Sequence, residues 1–226
     1  MNTASSRKEK IVELTVLLLL LIFSFVFWDT KFVYPIKLFV VLLHEQCHAL
    51  AALLTGGKIE SMNIGFDLGG SCQASGGNAV VIASAGYIGS LILGLLFFLS
   101  PNNIKIGRWI VFSLSLLILV FTIVMIKSVT FILIVALLVG VLIAASFYMS
   151  VPIVSILIRA FGLLSSIYVL FDIKNDLLET QNTITDANII SNLTGIPETA
   201  YGLIWLVISL VFLVLAVKFS YAEKKK

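Results

Sequence analysis

Apolar runs separated by short polar or glycine-rich breaks organise this chain. They cover residues 11–28, 36–55, 79–100, 109–126, 129–150, 152–171 and 201–221. About 20 apolar residues of helix cross a bilayer core, so each run is predicted to be a transmembrane helix. Trp28 ends the first as an interfacial anchor, and Pro35 suits the first turn of the second. Residues 56–78 break the pattern. They are rich in Gly and Ser, KIESMNIGF alternates as a strand does, and DLGG reads as a turn, so the segment reads either as a short β-hairpin dipping back toward the site or as a plain or re-entrant loop. A second polar segment, residues 173–200, precedes the last run. The expected architecture is one all-α polytopic membrane domain over residues 1–226, with six to seven transmembrane helices. A polar N-terminus (1–10) and a basic tail (222–226) flank it.

Composition agrees with this pattern. The chain is 60% hydrophobic and 12% charged, with mean hydropathy +1.11, whereas soluble domains are about half apolar and a quarter charged. A net charge of +3 without interleaved aromatic and basic residues excludes nucleic acid as a partner. Two cysteines, Cys47 and Cys72, provide no disulfide framework. The first run is longer than a signal-peptide core and lacks a small-residue cleavage site, so it reads as a span.

Arg7, Lys8 and Lys10 predict a cytoplasmic N-terminus, in the cell membrane rather than an organelle membrane. Seven crossings from there would put Lys224, Lys225 and Lys226 outside, against the positive-inside tendency. The same count puts the Thr55 end of the second helix on the N-terminal side.

The second run carries HEQCH. On a helix, His44 and His48 lie about 40° apart around the axis, so both imidazoles can reach one metal ion. Glu45 is placed to approach a water on that metal. A pattern of three fixed letters arises by chance in roughly 3% of chains this long, and its setting is what gives it weight. A charge at mid-membrane costs about 2.5–3.5 kcal/mol, so ionisable residues there are rare and usually functional. At 1.5 Å per residue, the site would lie roughly 10–12 Å from the Thr55 end.

Catalytic zinc usually takes three protein ligands and a water. The chain has no other histidine, so the third ligand is expected from a carboxylate or from Cys72. Asp172 ends a long apolar run at a suitable depth and is preferred. Asp176, one turn on, is the reserve ligand or a supporting partner. Zinc would acidify its water toward a pKa of about 7, with Glu45 as the base that passes the proton to the leaving amine. In the third run, Ala85, Gly86, Gly89 and Ser90 form small-xxx-small pairs that predict close packing against the HEQCH helix. Cys47 is expected to pack as a small residue and Arg159 to snorkel to an interface, while Cys72, in the Gly-rich segment, is assigned no role of its own.

HEQCH within a span, the Gly-rich segment after it, SAGYIGS and a late aspartate together resemble the site-2 protease family of membrane-embedded zinc metallopeptidases. FDIKND and the DA…TGIP…IW pattern over residues 186–205 are similar to the compact branch without a PDZ domain. The resemblance implies one Zn2+ per chain held by His44, His48 and Asp172, with Glu45 as catalytic base. FDIKND lacks the glycine of the family's LDG motif, so Asp172 and Asp176 compete for the ligand position. The implied function is hydrolysis of a peptide bond in a membrane-spanning or membrane-anchored protein. The alternatives are a metal transporter, for which no internal repeat speaks, and a non-cleaving partner-binding relative.

Overall fold

The computed structural model describes residues 7–27, 30–178 and 185–221, with the backbone alone described at 7, 25, 171, 172 and 174–178. Its helices are α1 (Arg7–Val26), α2 (Tyr34–Leu54), α3 (Ala79–Leu99), α4 (Ile104–Met125), α5 (Val129–Tyr148), α6 (Val151–Leu178), α7 (Asp186–Thr194) and α8 (Glu198–Tyr221). A hairpin of β1 (Lys58–Ile64) and β2 (Gly70–Ser75) lies between α2 and α3. This is the expected all-α polytopic architecture with its small hairpin. Among the described residues, five stretches are long and apolar enough to cross a membrane. One of them, Ala79–Met125, is 47 residues long and is interrupted by a 3-10 turn at Ser100–Asn103, so it holds both α3 and α4. The crossing-length helices are therefore α2, α3, α4, α5, α6 and α8.

HEQCH lies on the most enclosed of these. About 72% of the α2 span is buried, against 22% for α5 and α8. The outer helices turn Leu, Ile, Val and Phe outward, as lipid-facing helices do. α3 runs antiparallel to α2, with Asn78 N donating to Thr55 Oγ1 at one end (3.1 Å) and the Phe39 and Phe97 rings meeting at 5.4 Å near the other. The small-residue stripe of α3 faces α2 as predicted. A Cβ on Gly89 would stand 2.7 Å from Cys47 Sγ, so Cys47 fills a close helix contact. Gln46, on the opposite side of α2, donates to Ile118 O of α4 at 3.0 Å and fixes the rotation of the helix.

Gly56 adopts the left-handed conformation (φ 84°) just past α2 and sends the chain into the hairpin. The antiparallel register pairs Met62 with Cys72 and Ile64 with Gly70, and a bulge between Ile59 and Ser61 leaves Glu60 beside the Ser75 hydroxyl. The turn closes with Gly65 N donating to Gly69 O at 2.8 Å. Phe66 at the tip meets Phe131 of α5.

Parts of the polar segment of residues 173–200 are helical. α6 continues through FDIKND to Leu178. Thr185 then caps α7, its hydroxyl accepting from Asn188 N, and Gly195 ends the helix in the left-handed region.

The positions of the chain ends differ from the expectation. Lys10 Nζ donates to Tyr221 O at 3.4 Å, and Asn102, in the turn after α3, reaches Ser220 Oγ at 3.5 Å. The start of α1, the end of α3 and the end of α8 thus share one end of the bundle. α2 starts there as well, because it is antiparallel to α3. Between α1 and α2, Thr30 N donates to Phe27 O and Val33 N to Thr30 O. Six helices of crossing length lie within the expected six to seven, and the hairpin and the Thr55 end of α2 lie at the opposite end of the bundle from Lys10 and Tyr221 rather than beside them.

Arg159 does not snorkel. It is 5% exposed, with Nε 2.7 Å from Glu13 Oε1, Nη1 donating to Phe98 O and Ser220 Oγ at 3.0 Å each, and Nη2 donating to Asn102 Oδ1 at 2.8 Å. The guanidinium also lies over the Phe98 and Tyr221 rings. One side chain thereby joins α1, α3, α6 and α8.

Candidate metal centre

His44 and His48 project from α2 toward α3, one turn apart, with their rings edge to face at 4.7 Å. Asp186 is the first residue of α7 and brings Oδ2 to 3.2 Å from His44 Nε2 and 3.1 Å from His48 Nε2. Among the described residues, these are the three side chains whose ligand atoms converge within 4.8 Å of one another. They are largely enclosed, at 13%, 7% and 16% side-chain exposure.

His48 is oriented from behind. Its Nδ1 lies 2.7 Å from Ile82 O, so Nδ1–H donates to that carbonyl and, in the neutral ring, Nε2 presents a lone pair. That lone pair faces a carboxylate oxygen. Two acceptors at 3.1 Å repel unless a proton or a cation lies between them. The spacing also suits a metal, since ligand atoms of a tetrahedral site with bonds of 2.0–2.1 Å lie about 3.3 Å apart. Gly86 of α3 completes the cradle, because a Cβ there would come within 2.5 Å of His44 Nε2. The donor set and the space around it therefore fit a zinc ion. The His44 ring packs edge-on against Tyr87 at 5.1 Å, and Tyr87 in turn lies against Trp205 of α8 at 4.5 Å, forming an aromatic wall beside the histidines.

Burial raises the pKa of the Asp186 carboxyl, but hydrogen bonds and charge from His44 and His48 outweigh this and hold it below the ordinary aspartate range. Glu45 is 6% exposed and lies beneath the hairpin, where a Cβ on Gly70 would stand 2.7 Å from the Glu45 Cδ. Cys72, two residues along β2, is pushed up to about 12, first by burial and then by the negative charges of Glu45 and Asp186. Its Sγ is not among the ligand atoms that converge with the two histidines.

The structure thus brings His44 and His48 together with Asp186, a carboxylate not among those expected from the sequence, while Glu45 lies under the hairpin at Gly70. Asp172 lies on α6, but its side chain and that of Asp176 fall outside the described residues. Asp186 was visible only as part of the DA…TGIP…IW pattern. It follows a Thr N-cap, and an acidic residue in a first helical turn ordinarily reads as a complement to the helix dipole, which hides its availability as a ligand.

A family model described as Peptidase M50B-like matches residues 17–216. No curated protein and no solved structure gives a significant match. The family match agrees with the resemblance carried by HEQCH and SAGYIGS, and it covers every element that builds the site. The chain belongs to the peptidase M50B-like family.

Proposed function

We propose that the protein is a zinc-dependent intramembrane endopeptidase that hydrolyses a peptide bond in a membrane-spanning or membrane-anchored protein. The observation that carries this reading is the convergence of His44, His48 and Asp186 beside Glu45, inside a bundle of crossing-length helices. In this reading His44, His48 and Asp186 hold one Zn2+, and Asp186 takes the place first given to Asp172. Zinc bound there supplies a Lewis acid that acidifies water and polarises a peptide carbonyl.

The remaining work falls to the chain's own groups. The Glu45 carboxylate accepts the proton of the attacking water and delivers it to the leaving amine. Ile82 O holds the His48 ring with Nε2 toward the metal position. The Tyr87–Trp205 wall excludes bulk water from one side of the histidines. A peptide bond within a helix is shielded by its own turns, so a substrate has to unwind. The hairpin offers sheet edges with which an extended segment can pair.

The test is zinc content and cleavage of a membrane-anchored substrate by purified full-length variants. The parent and Glu45→Gln are expected to hold about one zinc per chain, with cleavage lost only in Glu45→Gln. Asp186→Ala should lose zinc and Asp172→Ala should keep it. A parent protein without zinc, or a Glu45→Gln variant as active as the parent, would defeat the proposal. Zinc lost from Asp172→Ala and kept by Asp186→Ala would move the third ligand to Asp172.

A further inference from the structure

We infer that the outer groove between α3 and α8 binds one anionic phospholipid, with an acyl chain lying in the groove and the phosphate meeting Lys218. This goes beyond the peptidase reading and needs only that α3 and α8 lie in a bilayer. The two helices run in the same direction. Tyr87 meets Trp205 at 4.5 Å in their first halves, and Asn102, just past α3, reaches Ser220 Oγ at 3.5 Å near the end of α8. Between these two ties lies a groove of about 560 Å³, within the range of about 300–1,000 Å³ typical of ligand pockets.

The sequence of α8 creates this space. Ala216 follows Phe212 by four residues and precedes Phe219 by three, so all three share a helix face. A methyl group between two rings leaves a gap. Ala216 and Leu95 of α3, both buried, form the floor. Leu99 lies on the α3 side, while Phe212, Leu215 and Phe219 stand along the α8 side at 49%, 55% and 73% exposure.

Charge and shape select the occupant. Every lining side chain is hydrocarbon except Lys218, which lies in the last turn of α8, where a span meets the interface. Lys10 adds a second cation at this end, since its Nζ donates to Tyr221 O, three residues beyond Lys218. A ligand with a long apolar part and a negative charge at one end matches this arrangement, and cations at a span end attract anionic headgroups. A protein helix fits it poorly. Helices associate in bilayers through small residues that let their backbones approach, whereas this groove has one small residue among Phe and Leu. From Phe212 to Phe219 it is also only about 10 Å long at 1.5 Å per residue, enough for part of a flexible chain and about a third of a spanning helix.

The experiment is native mass spectrometry of the purified full-length protein in detergent, titrated with dioleoylphosphatidylglycerol or with dioleoylphosphatidylcholine. The expected result is one phosphatidylglycerol retained per chain at concentrations where phosphatidylcholine is not. Lys218→Gln should weaken retention about fivefold, the worth of one cation beside an anionic headgroup. Lys127→Gln, at an exposed lysine between α4 and α5, should leave it unchanged. Ala216→Leu, which fills the floor, should abolish it. Lys218 is exposed, so its substitution requires no repacking and decides the matter if Ala216→Leu fails to fold. Equal retention of the two lipids, an unchanged Lys218→Gln, or an equal loss in Lys127→Gln overturns the inference. So does a dimer of the chain, in place of bound lipid, that Ala216→Leu dissociates. Neither zinc nor cleavage enters the readout, so a failed lipid site is distinguishable from a failed metal centre.

Discussion

Gly86 of α3 lies against His44 of α2 so closely that a Cβ on the glycine would stand 2.5 Å from His44 Nε2 and 2.6 Å from Cε1. The absence of a side chain there is therefore a condition for the ligand geometry. Gly86→Ala should push both imidazoles off the metal position while α3 stays helical. Displacing a ligand's support typically costs 10–100-fold in metal affinity, so a weakening of about that size is expected. Competition with a chromophoric chelator measures it, and circular dichroism of the same sample checks that the helices persist.

Gly70 stands in the same relation to the base. A Cβ at Gly70 would come 2.8 Å from Glu45 Cγ, so Gly70→Val should displace either the hairpin or the Glu45 carboxylate. Because Glu45 is not a ligand in the proposed set, zinc content should stay near that of the parent while turnover falls. Loss of zinc in parallel with activity would show instead that the hairpin supports the ligands.

The lowered pKa of Asp186 has a consequence for the metal-free protein. A carboxyl whose folded value is depressed contributes stability that is fully present above its unfolded value, about 3.9, and is lost as pH falls through the folded value. The thermal midpoint of zinc-free parent protein should therefore exceed that of Asp186→Asn at neutral pH, and the difference should close in strong acid. Thermal unfolding in detergent across pH tests this.

The Glu13–Arg159 pair fastens α1 to the bundle. Arg159 is 5% exposed and its Nε lies 2.7 Å from Glu13 Oε1. Removing one partner of a buried pair leaves the other charge uncompensated, at a cost of about 3–5 kcal/mol. Glu13 is partly exposed, so Glu13→Gln should fall at or below the lower end of that range. Arg159→Gln should cost more, because it also removes hydrogen bonds to Phe98 O, Asn102 and Ser220. The double variant should be less destabilised than the two single effects summed. Thermal midpoints of the purified proteins measure all three.

The local rules along the chain determined a great deal. Apolar run length identified α2, α3, α4, α5, α6 and α8, because covering a bilayer is a requirement on composition that each segment meets by itself. Helical periodicity placed His44 and His48 on one face, and the stripe around Gly86 and Gly89 announced a close helix contact. The alternation in KIESMNIGF marked β1. Tertiary structure alone decided which carboxylate meets the histidines. Asp186 lies 142 residues beyond His44, and nothing in its neighbourhood, a threonine cap and a short amphipathic helix, sets it apart from an ordinary helix start. It also decided that the start of α1 meets Tyr221 and Arg159, at the end of the bundle shared with the end of α8. A hydropathy pattern records how apolar each segment is but not where its ends lie. The ends are set by long-range contacts such as Lys10 with Tyr221 and Glu13 with Arg159, whose partners are far apart in the chain.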